Sequence, residues 1–347
     1  MSNNTYEYKL YISRHSVITS NIQVAKKEFN YDLNEGEFIK VLYNPGGNQY
    51  SNSEEVAKIQ NIFWLYGMAP RIKKIVYVNF KGNRYKAYIV ELLHKIRRGD
   101  CILRIKELKQ ICRDNFIDWN NQGHDQELHD TNNWIKDKFV DFGGFKFNDK
   151  KAYLNKLNAK IEKQTHFGKR YKGESRRYQS DDKFDGKRKT AYRIEKLGLE
   201  SIDFKGKSVL DIGCNLGMFC QYAKQRGASV VYGYDVSEDM IRCAKEYANW
   251  KGIYDIEFIV TDIDWDLKHG RQRMPNADIV FYLAMSEYLS FDKRILGLAN
   301  EVLIYEGHSN EDSENTKNKL KEVFPRVEDL GFTDDRSIRP IFKCYKE

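Results

Sequence analysis

The sequence predicts an α/β protein: a doubly wound, mostly parallel sheet with a terminal antiparallel strand, preceded by a smaller α+β domain. Three observations predict it. From about residue 179 onward, apolar runs of strand length alternate with stretches of helix length. The first of these strands runs into a turn holding Gly213 and Gly217 and then into a helix. The last two strands are joined only by TDDRSI, too short for a helical crossover, so the final strand runs antiparallel.

The elements follow in order. Residues 1–148 offer the strand EFIKVLYN, the helix SEEVAKIQNIFWLYG, and the strands KIVYVNF and KAYIVELL, the last two separated by the hairpin signal KGNR. A helix follows around Ile102 to Asn115. Residues 149–178 read as a basic connector that begins as the helix DKKAYLNKLNAKIEKQ. Residues 179–347 then give SVLDIG, a helix after Leu216, SVVYGYD, the helix EDMIRCAKEYANW, IEFIVTD, ADIVFYLA, EVLIYEG, the helix NTKNKLKEVF, VEDLGF and RPIFKCYK.

Composition bounds the class. A chain of 347 residues with 41% hydrophobic and 14% aromatic residues has enough apolar material for two domains and is not disordered as a whole. No apolar run is long enough to span a bilayer, and the N-terminus MSNNTYEYKL has no apolar leader pattern, so a cytoplasmic protein is expected. The six cysteines form no CxxC pair, and no His/Asp/Glu cluster appears in the C-terminal half, so no metal site is expected. Charge is uneven. Between Lys151 and Lys196 stand fifteen Lys/Arg against six Asp/Glu, while the whole chain carries only +8. That segment is either a solvated basic linker or an attractor for an anion: a phosphate, an acidic glycan or RNA.

The stretch VLDIGCNLG poses the chemical question. A dinucleotide site wants GxGxxG, so that backbone can approach a pyrophosphate at a helix N-terminus. Here Asn215 occupies the middle position and the register fails. Asp211, just before Gly213, is a carboxylate that repels a pyrophosphate and suits a cationic, amino-acid-bearing ligand. Asp235 ends the second strand, where a carboxylate accepts two hydrogen bonds from ribose hydroxyls. Asp262 ends the third strand, where a side chain or backbone amide meets an adenine edge. Three carboxylates at successive strand ends point to S-adenosylmethionine.

On these residues, with the terminal antiparallel pair, the chain from about Tyr178 to Lys346 resembles the class I S-adenosylmethionine-dependent methyltransferases, whose sheet is Rossmann-like. The family's usual DxGxGxG has Asn215 at its middle glycine here. The resemblance implies that Asp211, Gly213, Cys214, Asn215, Gly217, Asp235, Val236, Asp262, Ile263 and Leu283 hold the cofactor. Acceptor contacts are expected from loops at the carboxyl ends of strands, among them Glu287 and Tyr288 after the fourth strand. Glu306 and His308 after the fifth are the candidate general bases. The tract RRYQSDDKFDGKRK offers Arg177, Tyr178, Gln179 and Arg188 as a flap that clamps an anionic acceptor, since Arg forks match phosphate and carboxylate.

The front domain resembles protein or small-molecule kinases in its order. Lys40 lies on a strand, Glu54 opens the next helix, and Asp130 with Asn133 precede Asp141 of a DFG. No Gly-rich loop stands upstream of Lys40, the interval from Asp130 to Asp141 is short, and no room remains for a full second lobe. The resemblance thus implies a trimmed kinase-like domain, with an unrelated α+β domain and a working phosphotransferase as alternatives. Function is expected to be methyl transfer from S-adenosyl-L-methionine to a hydroxyl or phosphate of a saccharide, lipid-linked precursor or small metabolite. An RNA methyltransferase docking through the basic connector and a bifunctional kinase-methyltransferase are the alternative readings.

Overall fold

The computed structural model describes residues 11–12, 16–42, 53–91, 101–118, 134–135, 138–139, 145–163 and 178–347, apart from 272, 290 and 310. They fall into two compact units, Met1–Lys156 with Asn249–Tyr254, and Leu157–Ala248 with Asp255–Glu347.

The first unit is built on an antiparallel five-stranded sheet of β1 (Tyr11–Ile12), β2 (Val17–Thr19), β3 (Glu37–Val41), β4 (Ile72–Phe80) and β5 (Asn83–Glu91), in the order β1-β2-β3-β5-β4. Helices α1 (Ile22–Phe29), α2 (Ser53–Leu65) and α3 (Cys101–Asp114) accompany it. The expected strand–helix–strand–strand order is present. The hairpin forms at KGNR because Lys81 (φ 48°) and Gly82 (φ 78°) make the double left-handed turn that matches strand twist. The sequence reading passed over α1. Its signals are local: the Asn21 side chain accepts the Val24 amide at the start, and Asn30 closes the end at φ 51°. Its Ala25 and Phe29 pack with Val17, Ile39, Val78, Phe80 and Ile89. Further pairs β6 (Ile117–Asp118) with β9 (Lys146–Phe147) and β7 (Trp134–Ile135) with β8 (Lys138–Phe139) complete this part. Helix α4 covers Lys150–Lys163.

In the second unit, α5 (Thr190–Lys196) leads into a seven-stranded sheet. Its strands are β10 (Ser208–Ile212), β11 (Val230–Asp235), β12 (Glu257–Val260), β13 (Ala277–Leu283), β14 (Ala299–Glu306), β15 (Arg326–Thr333) and β16 (Arg339–Tyr345). The spatial order is β12-β11-β10-β13-β14-β16-β15, with β10 to β14 parallel and β16 inserted antiparallel beside β14. The short TDDRSI connection makes that insertion a hairpin, as expected. Helices α6 (Met218–Gln225), α7 (Glu238–Trp250), α8 (Ile263–Lys268), α9 (Lys293–Leu296) and α10 (Ser313–Lys321) lie between strands.

Both sheet faces are covered, which is why the central strands read as continuous apolar runs. One face buries Leu210, Ile212, Val280, Tyr282, Leu303 and Tyr305, with Leu320 and Phe324 of the α10 region packed on them. On the other, Phe281 meets Phe204 and Phe219 edge to face, each at 6.2 Å between ring centroids. Among the described residues no helix is long and apolar enough to cross a membrane.

Gly82 tests the hairpin assignment, because a Cβ there meets no atom within 4 Å and only the backbone conformation resists it. Gly82→Ala is expected to lower stability by about 1 kcal/mol, read as a shift in urea midpoint without loss of the native circular-dichroism spectrum.

Candidate active site

The strand order reverses at β10, which has β11 on one side and β13 on the other. A crevice therefore opens beyond the carboxyl ends of these strands. The turn after β10 is held there from beneath: the Gly213 and Cys214 amides both donate to the Tyr234 carbonyl, at 2.8 and 2.9 Å. Three residues of this turn are left-handed, Gly213 (φ 74°), Asn215 (φ 53°) and Gly217 (φ 69°). At the two glycines a side chain has no room. A Cβ on Gly213 would lie 2.1 Å from the Met285 sulfur, and one on Gly217 2.3 Å from the Phe258 ring. Asparagine is the residue that tolerates this conformation best after glycine, so Asn215 keeps the turn intact.

The turn borders a cavity of about 220 Å³. Of the residues expected to hold a cofactor, Gly213, Asn215, Asp235, Val236, Asp262 and Ile263 line it, and so does Tyr288. Asp235 Oδ2 accepts the Asn215 amide and Oδ1 the Ser237 amide, both at 2.9 Å. Burial pushes its carboxyl above the ordinary value while these backbone donors oppose the rise. With about four lone-pair sites, the carboxylate keeps accepting capacity for a hydroxyl. Asp262 caps α8 through Oδ1, accepting the Trp265 amide at 3.0 Å. Val236 is 62% exposed beside it, an apolar surface that a planar base would cover.

Four expected cofactor residues do not line the cavity. Asp211 is 2% exposed and its Oδ2 accepts the thiol of Cys220 on α6 at 3.3 Å. Burial pushes its carboxyl up to about 7. Cys214 and Leu283 are buried beneath the loop ends, and Gly217 is the N-cap of α6. Sequence reasoning missed Ser237, Met240, Thr261, Asp264, Met285 and Leu289, which complete the lining. Ser237 carried a visible signal, a serine ahead of Glu238 and Asp239 at a helix start; Met285 and Leu289 carried none.

The expected acceptor clamp is corrected. Arg177 lies outside the described residues. Arg188 is wholly buried: its Nε donates to Asp335 Oδ1 at 2.7 Å and its Nη2 to Glu306 Oε1 at 2.8 Å and to Thr333 Oγ1 at 3.1 Å. No face of it remains to meet an acceptor. Gln179 is buried as well. Its Nε2 donates to the Cys214 carbonyl and its Oε1 accepts the Met218 amide, both at 3.3 Å, so it braces the cofactor turn. The Tyr178 hydroxyl accepts from Arg188 Nη1 at 3.4 Å.

Glu306 is corrected too. It is 0% exposed, paired with Arg188 and with Arg193 Nη2, and it accepts the Thr333 hydroxyl at 2.6 Å. Burial alone raises a carboxyl, but the two guanidinium groups hold this one down to about 2. A carboxylate so strongly stabilised is a poor proton acceptor. Arg193, whose guanidinium also lies 4.8 Å from the centre of the Phe219 ring, carried no motif that marked it.

His308 meets an acid and an aromatic ring. Its Nε2 lies 2.7 Å from Glu287 Oε2, and its ring meets Tyr288 edge to face at 5.9 Å. Burial and the nearby Arg339 lower its pKa against the pull of Glu287 and Glu311. Its backbone amide donates to Glu311 Oε2 at 2.8 Å, which pins the loop after β14.

In the front unit, Lys40 stands on β3 opposite Tyr88, and Glu54 on α2 pairs with Lys86 of β5 at 3.4 Å rather than with Lys40. Asp130, Asn133 and Asp141 lie outside the described residues. In the described parts of the basic segment, Lys160 pairs with Glu246, and Arg188 and Arg193 are the buried pairs above, so these three cations are neutralised internally.

Comparison with known proteins agrees with this geometry. Residues 209–306 match the family model described as a methyltransferase domain. A 108-residue stretch is 32% identical to the ubiquinone biosynthesis O-methyltransferase of Neisseria meningitidis serogroup C, covering 30% of this chain and 44% of that protein. An 82-residue stretch is 37% identical to the ribosomal protein L11 methyltransferase of Caldanaerobacter subterraneus subsp. tengcongensis, covering 24% of this chain and 25% of that one. Among solved structures, the bifunctional kinase-methyltransferase WbdD superposes over 55% of this chain and 46% of that chain, at 18% identity and a TM-score of 0.43. The chain spans less than half the length of these curated relatives. Residues 209–306 form a methyltransferase domain, and S-adenosyl-L-methionine is the donor that such a domain binds.

Two buried carboxyls give opposite pH limbs. Glu306 titrates below its ordinary 4.5, so its contribution is complete above that pH and is lost as pH falls toward 2. Asp211 titrates above its ordinary 3.8, so the folded chain holds a proton the unfolded chain has released, and stability falls as pH rises from about 4 to about 7. Urea midpoints across pH 3–8 should show Asp211→Asn flattening the upper limb. Glu306→Gln should cost about 3–5 kcal/mol at pH 7 and flatten the lower limb.

Proposed function

We propose that this chain is an S-adenosylmethionine-dependent O-methyltransferase whose acceptor is a hydroxyl of a saccharide, lipid-linked precursor or small metabolite, with His308 taking the hydroxyl proton. The observation that carries the reading is the Glu287–His308 pair set edge-on to Tyr288 at the wall of the cavity. The donor supplies an electrophilic methyl on a sulfonium. Everything else falls to the chain. Asp235 receives the ribose hydroxyls, Val236 and Ile263 cover the base, and the left-handed turn from Gly213 to Gly217 keeps side chains out of the way. Glu287, as the hydrogen-bond partner of Nε2, selects the tautomer that carries its proton there and leaves Nδ1 as the basic nitrogen. The lowered pKa leaves that nitrogen unprotonated at neutral pH.

A base favours a hydroxyl over a phosphate oxygen as nucleophile, since a phosphate monoester has no proton to remove at pH 7. For the front unit we propose a trimmed kinase-like domain without phosphotransfer. The strand–helix–strand–strand order around Lys40 supports the likeness, and the engagement of Glu54 by Lys86 supports the loss of activity.

S-Adenosylhomocysteine should bind the wild-type chain in isothermal titration and bind Asp235→Ala at least tenfold more weakly. Labelled methyl transfer into fractions of the native host identifies the acceptor pool. With that pool, His308→Gln should lose roughly 10²-fold or more in rate while S-adenosylhomocysteine affinity stays unchanged. Retention of full rate by His308→Gln would remove the base from the scheme and leave cofactor binding standing.

A further inference from the structure

Around Glu306 the described residues bury more positive than negative charge. Arg188, Arg193 and Arg339 are 0%, 1% and 4% exposed, and the acids that answer them are Glu306 and Asp335. Glu306 is taken by Arg188 and Arg193, and Asp335 by Arg188 and the Lys189 amide. Glu311 is filled by the Ser286, Tyr305 and Thr316 hydroxyls and the His308 amide. Among the described residues, Arg339 is left with one neutral contact, Nε to Ser337 Oγ at 2.9 Å, and its Nη1 is buried with no hydrogen-bond partner. A guanidinium stays charged even where burial lowers its pKa, as here. A buried charge without a partner is costly, so this position is built for an anion that arrives from outside.

Its place in the fold says which anion. Arg339 opens β16, and the Gly307 amide donates to the carbonyl of the next residue, Pro340, at 2.9 Å. The Ser337 hydroxyl that receives Nε also receives the Ser309 hydroxyl at 2.8 Å. Arg339 thus stands beside the Gly307–Ser309 loop, near enough for its charge to depress His308. His308 touches Tyr288, and Tyr288 lines the cofactor cavity. We propose that Arg339 binds an oxyanion carried by the methyl acceptor, a phosphate or a carboxylate, and so sets acceptor specificity while His308 faces the reacting hydroxyl. This rests on the methyltransferase reading above, and it moves the anion clamp from Arg188, which Glu306 consumes, to Arg339.

The full chain, saturated with S-adenosylhomocysteine at physiological salt, is titrated with inorganic phosphate and separately with acetate. A saturable site is expected, at least tenfold weaker in Arg339→Gln and intermediate in Arg339→Lys, which keeps the charge but not the fork. Tighter phosphate assigns a phosphate-bearing acceptor, and tighter acetate a carboxylate-bearing one. A second reading needs no Arg339 variant. The His308 imidazole, identified by NMR against His308→Gln, is faced by Arg339, Arg188, Glu287 and Glu311. An oxyanion on Arg339 should raise its pKa. Absence of saturable binding of either anion, undiminished binding in Arg339→Gln, or a His308 pKa indifferent to both anions overturns the proposal. Loss of S-adenosylhomocysteine binding by the wild-type chain would instead sink the methyltransferase reading.

Discussion

The second unit depends on one buried carboxylate. Glu306 gathers Arg188 and Arg193 from the segment ahead of the sheet, and Thr333 from the end of β15. Arg188 in turn draws in Asp335 from the hairpin before β16. Three stretches far apart in sequence therefore meet at the carboxyl end of β14. Removing one partner would leave another charge buried alone, which makes the cluster costly to break. The Glu306 carbonyl also accepts the Ala284 amide at 2.7 Å, so the ends of β13 and β14 are aligned by the same residue.

This constraint shapes the chemistry on both sides. Toward β10, it anchors the segment that delivers Gln179 to the Cys214 carbonyl and the Met218 amide, so the cofactor turn is braced from outside the sheet. Toward β16, it fixes where Gly307 and His308 emerge. Glu287 then orients the imidazole, and Glu311 holds the loop through four hydrogen bonds. The loop after β14 is thus tied down by hydrogen bonds, and the charge surplus beside it falls on Arg339.

The parallel strands and the final hairpin were legible because each is a local pattern: an apolar run, a connection too short to cross over. The helix EDMIRCAKEYANW was readable to the residue, since an acidic first turn and a serine ahead of it mark the start. Asp235 was legible as a strand-end carboxylate, whereas Asp262 lies two residues past the end of β12 and caps α8. Helix α1 escaped because its eight residues, IQVAKKEF, carry three charges and a short apolar stripe. Glu306 and Arg188 were noticed as chemically capable residues but given the wrong duties. Nothing local distinguishes an arginine that meets a substrate from one that meets a glutamate more than a hundred residues away.

By itself, the sequence determined the doubly wound sheet, its antiparallel ending and the kind of turn that follows β10, because periodicity, connection length and backbone preference act over a few residues. Asn215 shows how far that reaches: its tolerance of a left-handed backbone is intrinsic to the residue. Only the tertiary structure decided the roles of the charged groups. A carboxylate is a base, a brace or a buried acid according to what surrounds it. For Glu306, Asp211 and Arg339 those surroundings come from distant parts of the chain.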